Sequence, residues 1–286
     1  MDFRNSVKAF IIAACVVFSA GVCIADLQKD IAYGINNSGQ TIKLDAYVPD
    51  SNGNELFPAV IFVHGGAWCG GDKQEGDRIL PELFQNEKVA WFSIEYRLAP
   101  QNRWPVCYED VKLAIKWVKT NAAYFRIDPA RIVLMGYSAG GHLACLSAVQ
   151  ADEQTQTAAV IAFAPPTELV SLVNIQGETA ERIFGNLFGT GISGDQMRQT
   201  LSEISPINHI TTALPPVLLI HGTKDETVPY QQSVDFQSKM RELSVPCELI
   251  TIENAPHNVR QWQDFDPDFR SKIVAWFKKT LEITEK

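Results

Sequence analysis

Short apolar runs alternate with segments of helical periodicity along most of the chain. Several of the runs are apolar at nearly every position and end at glycine or proline, which is typical of strands buried on both faces of a sheet. The segment 43–49 instead alternates apolar and polar residues, and this pattern predicts a half-buried edge strand. We predict strands at 43–49, 59–65, 89–96, 131–136, 158–165, 216–222 and 247–253.

Between these strands, apolar residues recur at helical spacing. In 111–122, for example, Val111, Ala114 and Val118 fall on one face of a helix. Buried strands that alternate with such amphipathic helices indicate an α/β fold, with a mostly parallel central sheet and helices on both faces. In such folds, functional groups gather in loops at the carboxyl ends of the strands. We predict helices at 111–122, 140–149, 230–243 and 270–281.

The segment 167–213 interrupts this alternation. It contains several glycines and short helical pieces, and it has no strand rhythm. We predict that residues 26–286 form one domain, in which 167–213 is a small cap insertion over the strand ends. An ordinary irregular connection between two strands is the alternative interpretation of this segment.

The first 25 residues differ from the rest of the chain. Arg4 and Lys8 precede an uncharged apolar run that starts at Ala9, and small residues stand close to Ala25. This order predicts a secretory signal peptide that is cleaved near Ala25, with export to the periplasm or the extracellular space. A membrane anchor is the alternative, but a run of about 17 apolar residues is short for a span, so we expect no stable anchor.

The charge of the chain argues against nucleic acid as a partner. The 286 residues carry a formal net charge of −8, and removal of the positively charged first 25 residues makes the remainder more acidic. An acidic chain without a basic run is a poor ligand for nucleic acid. The composition, 46% hydrophobic and 20% charged, is that of a globular protein with one large core.

Four of the six cysteines lie beyond the predicted signal peptide: Cys69, Cys107, Cys145 and Cys247. No two of the four have the CxxC spacing of a zinc site. In an exported protein they could form disulfides, with three complete pairings open. Cys69 and Cys107 lie in segments that we expect to be neighbours, so this pair is one hypothesis, whereas Cys145 lies on an apolar helix face and is expected to be an inert thiol.

The stretch "IVLMGYSAGGHLA" places Ser138 between Gly136 and Gly140, after a predicted buried strand and before a predicted helix. A nucleophilic serine of this architecture stands on a strained strand-to-helix turn, where the flanking glycines allow the strand and the helix to pack closely. A glycine-rich loop without chemistry is the alternative, but the position between strand and helix favours a nucleophile. We therefore predict that Ser138 is the nucleophile.

A serine nucleophile needs a base and an acid that orients the base. In this architecture the order along the chain is serine, acid, histidine. Asp225 follows one predicted strand and His257 follows the next, and no other histidine comes after Asp225. We predict Asp225 as the acid and His257 as the base, with Glu226 as the reserve acid and Glu253 as a surface charge. The remaining histidines receive structural interpretations: His64, His142, His209 and His221.

Acyl transfer also needs hydrogen-bond donors for the oxyanion. The N–H of Ala139, directly after the nucleophile, is one donor. The glycine-rich stretch "FVHGGAWCGGDK" follows an early strand, and glycine there lets backbone N–H groups point into a site. We predict the N–H groups of Gly66 and Ala67 as the other donors, with Gly65 shaping the turn.

The motifs "HGGAW", "YRLAP", "GYSAGG", "HGTKDETVP" and "APH" occur here in the order found in α/β-hydrolase esterases. Over residues 40–281 the chain resembles the hormone-sensitive-lipase-like group, and within it the bacterial feruloyl- and acetylxylan-esterase-like branch. The resemblance implies a serine esterase with Ser138, Asp225 and His257 as its catalytic triad and without a metal or organic cofactor. Two positions depart from the pattern of the group: Ala67 replaces the third glycine of HGGG, and Tyr137 stands where lipase-like members often have aspartate.

The resemblance implies small acyl esters as substrates, including acetyl or feruloyl groups on plant polysaccharide. Trp68, Trp104 and Tyr137 are candidate substrate contacts, although packing is the alternative role for each of these aromatic residues. An arylformamidase-type amide hydrolase and a non-catalytic, ligand-binding member of the fold are the alternative functions. The sequence does not define the oligomeric state or the specificity for acyl group and alcohol.

Overall fold

An eight-stranded sheet forms the centre of the chain in a computed structural model that describes residues 26–36, 39–50, 53, 55–189 and 194–283. The predicted signal peptide lies outside these residues, and so does part of the predicted cap, at 190–193. The strands are β1 (Asp26–Ile35), β2 (Thr41–Val48), β3 (Phe57–Val63), β4 (Ala90–Ile94), β5 (Ile127–Tyr137), β6 (Ala159–Phe163), β7 (Val217–Gly222) and β8 (Cys247–Ile252).

The spatial order of the strands is β1-β2-β4-β3-β5-β6-β7-β8. β2 runs antiparallel to both β1 and β4, and every other neighbouring pair is parallel. The prediction of a mostly parallel sheet is therefore confirmed. Because β3, β5, β7 and β8 are parallel, the loops that follow them meet at one edge of the sheet.

Helices cover both faces of the sheet, and several of them coincide with the predicted ones. They are α1 (Gln74–Phe84), α2 (Val106–Thr120), α3 (Ala139–Val149), α4 (Leu169–Gln176), α5 (Glu178–Phe188), α6 (Gly194–Glu203), α7 (Gln231–Glu242), α8 (Trp262–Phe265) and α9 (Phe269–Thr280). Among the described residues, no helix has both the length and the apolar character needed to cross a membrane.

The central strand β3 shows why its sequence is apolar at almost every position. All seven of its residues are buried. Ile61 and Val63 join a core that contains buried residues of α2 and α3. Val60 and Phe62 point to the other face and join a core that contains buried residues of α1 and α9. Since side chains alternate across a strand, a continuous apolar run supplies both cores.

The predicted cap segment, residues 167–213, forms α4, α5, α6 and a 3₁₀ turn at Pro206–His209. Its helices contact the loops that follow two strands. Phe184 packs against Trp68 after β3, with ring centroids 5.7 Å apart. The N–H of Trp104, after β4, donates to the carbonyl of Leu187 at 2.9 Å. These contacts hold the cap segment beside the carboxyl ends of the strands.

Candidate active site

Ser138 lies on the turn between β5 and α3 with φ 53° and ψ −119°. A positive φ is unfavourable for a residue with a side chain, and such strain is concentrated at functional sites. The flanking glycines make the turn possible. A Cβ atom on Gly136 would lie 2.2 Å from the carbonyl oxygen of Gly140, and one on Gly140 would lie 2.1 Å from that of Val63. The glycines therefore serve the close packing of strand and helix around one serine.

His257 lies between Ser138 and Asp225. Its Nε2 is 3.0 Å from the Oγ of Ser138, and its Nδ1 is 2.6 Å from the Oδ2 of Asp225. Asp225 can only accept at neutral pH, so Nδ1 carries the proton and Nε2 offers its lone pair to the serine hydroxyl. The structure thus brings together the three residues that the sequence pointed to, from the ends of β5, β7 and β8.

Both oxygens of the Asp225 carboxylate accept hydrogen bonds. Its Oδ1 accepts the N–H groups of Thr227 and Val228, each at 2.8 Å. Its Oδ2 accepts from His257 and also faces the Nε2 of His221 at 3.1 Å. Burial alone would raise the pKa of Asp225, but the hydrogen bonds from His221 and His257 outweigh it and hold the pKa well below its usual range. The reserve acid, Glu226, is exposed.

The turn after β3 packs against the turn that carries Ser138, since a Cβ atom on Gly65 would lie 3.1 Å from the carbonyl oxygen of Tyr137. Gly66 and Ala67 have φ values of 114° and 52°, and the N–H of Gly65 is held by the Oε2 of Glu75 at 2.7 Å. Among the described residues, no protein acceptor engages the N–H groups of Gly66, Ala67 or Ala139. Gly66 is exposed, Ala67 is half-buried and Ala139 is buried. Backbone donors without a protein partner can receive an anion.

The three candidate aromatic contacts have different surroundings. Trp68 is only 3% exposed, and its Nε1–H donates to the Nδ1 of His142 at 3.2 Å. This burial favours packing for Trp68, and its contact with a substrate stays a prediction. Trp104 is partly exposed and stacks on Tyr108. Tyr137 donates its hydroxyl to the carbonyl of His257 at 3.0 Å and so supports the loop that carries this histidine.

The cysteines form no disulfide within the described part of the chain. Cys69, Cys107, Cys145 and Cys247 are all free thiols, so the hypothesis of a Cys69–Cys107 disulfide is wrong for this structure. Burial raises the pKa of Cys107 to about 12 and raises that of Cys145 as well. A thiol that stays protonated is a poor nucleophile, which agrees with the inert role expected for Cys145.

Two supporting contacts escaped the sequence analysis. His221 was interpreted as structural, yet it contacts Asp225, and its position four residues before the acid was the available signal. Arg97, in the "YRLAP" motif, forms several hydrogen bonds to the fully buried carboxylate of Asp110 on α2. This ion pair fixes the loop after β4, and no spacing rule connects a loop arginine with a helix aspartate.

Comparison with known proteins identifies relatives in sequence and in structure. The esterase LipC of Mycobacterium tuberculosis is 34% identical over 199 residues, which cover 65% of this chain and 49% of LipC. The chain thus spans about half the length of the curated relatives that it matches first. The esterase Est2 of Thermogutta terrifontis, solved with bound propionate, is 28% identical with a TM-score of 0.67, covering 91% of each chain.

A carbohydrate esterase from gut microbiota superposes with a TM-score of 0.75 over 92% of this chain and 99% of its own, at 22% identity. That likeness establishes a shared fold. The family model named BD-FAE matches residues 44–240, which include Ser138 and Asp225 and make up more than half of the chain. The protein therefore belongs to the BD-FAE family.

Proposed function

We propose that this protein is a serine carboxylic-ester hydrolase in which Ser138, His257 and Asp225 form the catalytic triad. The observation that carries the proposal is the position of His257, hydrogen-bonded to Ser138 on one side and to Asp225 on the other. Membership of the BD-FAE family and the similarity to LipC, which is named an esterase, support the reaction class.

In the proposed reaction, Nε2 of His257 takes the proton from the Oγ of Ser138 as this oxygen attacks the ester carbonyl. The developing oxyanion is stabilised by the N–H groups of Gly66, Ala67 and Ala139. The imidazolium of His257 then gives the proton to the leaving alcohol, and an acyl-enzyme remains on Ser138. A water molecule, deprotonated by His257, hydrolyses the acyl-enzyme and regenerates the serine.

Asp225 keeps His257 in the productive tautomer. Because its pKa lies well below the usual range, the carboxylate stays ionised at every pH at which the imidazole can act as a base. The negative charge stabilises the imidazolium that forms during attack. The hydrogen bond from Tyr137 to the carbonyl of His257 restrains the loop that carries this ring.

We further propose short acyl esters as substrates, with acetyl or feruloyl esters of plant polysaccharide as the natural class. Est2, solved with bound propionate, is a structural relative, and this supports a short acyl group. The carbohydrate esterase from gut microbiota shares only the fold, so the sugar part rests on the resemblance of the sequence motifs. Export follows from the predicted signal peptide and belongs to the same proposal.

Hydrolysis of p-nitrophenyl acetate, butyrate and decanoate, beside methyl ferulate and acetylated xylan, tests this function. The wild-type protein should hydrolyse the short esters faster than decanoate and release acetate from xylan. Ser138→Ala should lower kcat by about 10⁴-fold or more without loss of the fold. Equal activity of the two proteins would refute Ser138 as nucleophile. No activity on any ester from folded wild-type protein would refute the esterase and make N-formylkynurenine the next substrate.

A further inference from the structure

Asp225 receives a second imidazole, which the proposed reaction does not use. His221 lies in β7 and is fully buried. Its Nε2 is 3.1 Å from the Oδ2 of Asp225, the same oxygen that His257 contacts from the other side at 2.6 Å. The same carboxylate oxygen therefore contacts two histidines that differ in exposure. His221 is buried, whereas the side chain of His257 is 18% exposed.

The surroundings of His221 determine where its proton lies. Besides Asp225, its Nε2 faces the carbonyl oxygen of Val228 at 2.9 Å. Both neighbours are acceptors, so Nε2 carries the hydrogen and shares it between them. The Nδ1 is 2.7 Å from the Oγ of Ser233 on α7, and in the neutral ring it accepts the serine hydroxyl. The donor direction thus runs from Ser233 through His221 to Asp225.

We infer that His221 is a positioning residue, which fixes the carboxylate of Asp225 and limits the share of its negative charge that His257 receives. The inference rests on the proposed function, because it needs Asp225 as the partner of His257. Asp225 is held by Thr227 and Val228 at Oδ1 and by His221 at Oδ2. With these contacts in place, the carboxylate cannot rotate away when His257 moves a proton to or from the substrate.

Two tyrosines contact the histidines of this network, the charged side chains of Glu75 and Arg260 act on Tyr137, and Glu226 is adjacent to Asp225. The ring of Tyr230 meets His221 edge to face, with centroids 5.8 Å apart, and its hydroxyl pairs with that of Thr251 at 2.7 Å. Tyr137 lies against His257, and burial raises the pKa of Tyr137. Tyr137 therefore stays protonated through the working range of a histidine base. Because the tyrosines, Glu75 and Arg260 are unchanged in the variants below, a difference between variants in the acid limb of the rate profile reports on the contact of His221 with Asp225.

The test compares His221→Phe with His221→Gln in the full-length protein. Phenylalanine fills the space without a donor, whereas the amide of glutamine can replace the Nε2–H. Loss of the donor leaves more of the carboxylate charge to His257. For His221→Phe we expect kcat on p-nitrophenyl acetate to fall about tenfold at little change in KM. The acid limb of kcat/KM should move upward by about half a pH unit to one unit. His221→Gln should recover most of both effects.

His142→Gln is the matched control. His142 is also fully buried, with Nε2 2.8 Å from the carbonyl oxygen of Ile204, but it does not contact Asp225. The substitution His142→Gln should lower the thermal stability of the protein. It should not change the midpoint of the acid limb in the pH profile of kcat/KM. An acid limb that does not move in folded His221→Phe, or that moves equally in His142→Gln, would overturn the inference.

Two further measurements test the role of His221 if His221→Phe does not fold or if the protein does not hydrolyse esters. If His221→Phe does not fold, Ser233→Ala should shift the acid limb in the same direction by a smaller amount, and the absence of any shift would overturn the inference. The proton between His257 and Asp225 gives a downfield NMR signal that needs no substrate. That signal should move in His221→Phe. An unmoved signal contradicts the role of His221 whether or not the protein hydrolyses esters, so the two proposals fail separately.

Discussion

His221 and His142 are both fully buried histidines with the same pattern of ring hydrogen bonds, but they lie in different regions of the molecule. His221 joins α7 to the loop of Asp225. His142 joins Trp68, in the turn after β3, to the carbonyl of Ile204 in the cap segment. In each case Nδ1 accepts and Nε2 donates, so the two rings differ chiefly in the acceptor that they reach.

That acceptor determines what each histidine can do. A backbone carbonyl carries no full charge and stabilises an imidazolium only weakly. Burial consequently dominates at His142 and lowers its pKa to about 4, and the hydrogen bond to Ile204 recovers only part of this loss. His142 therefore remains a neutral packing element. A carboxylate that also binds His257 makes the ring of His221 part of an electrostatic network.

Among the proposed substitutions, Asp225→Asn is expected to have the largest effect on activity, because it removes the carboxylate that distinguishes the site of His221 from that of His142. An amide cannot accept from His221 and His257 as a carboxylate does, and it favours the wrong tautomer of His257. We expect kcat to fall by about 10⁴-fold with a preserved fold. Steady-state kinetics on p-nitrophenyl acetate measure this change. Glu226→Gln, at the adjacent exposed position, is the control and should retain the wild-type rate. If Asp225→Asn reacts at a rate close to that of wild type, Asp225 is not the acid of the triad.

A smaller effect concerns the pH dependence of stability that arises from His142, which joins α3 to the cap segment. The pKa of His142 is lowered to about 4 in the folded protein from about 6.5 in the unfolded chain, so the unfolded chain binds more protons between these values. Stability therefore falls as the pH falls from 6.5 towards 4. In His142→Gln, the loss of unfolding free energy between pH 6.5 and 4.5 should be smaller by about 2 kcal/mol.

Urea denaturation at the two pH values measures this difference. His64, whose pKa burial also lowers to about 4, remains in the variant and continues to contribute. Some pH dependence therefore persists in His142→Gln. An unchanged dependence would show that His142 is not a neutral buried ring in the folded protein.

The two regions were not equally predictable from the sequence. Ser138, Asp225 and His257 each follow a predicted strand, and the chain order of the three residues is specific to this architecture, so pattern and order were sufficient to choose them as candidates. The role of His221 depends on the distance to one carboxylate oxygen in the folded chain. No periodicity of the sequence encodes that distance.

The sequence analysis did not predict β1 and α1, and each has a local physical reason. β1 begins with polar residues and pairs with β2 through two register irregularities, so its sequence lacks a regular alternation. α1 contains Gly76 and Pro81, which are unfavourable inside a helix. Tertiary packing offsets these preferences, since Leu80 and Phe84 of α1 are buried against the sheet. The short helical pieces expected in the predicted cap segment correspond to α4, α5 and α6, whose bounds the sequence did not define.

The most direct test of the central claim is the intact mass of the protein after reaction with a fluorophosphonate. The hydroxyl of Ser138, activated by His257, should displace fluoride and gain one phosphonyl group. Wild-type protein should therefore show a single adduct, mapped to Ser138 by peptide analysis, and Ser138→Ala should show none. An unlabelled wild-type protein that is folded, or equal labelling of the two proteins, would contradict the assignment of Ser138 as an activated nucleophile.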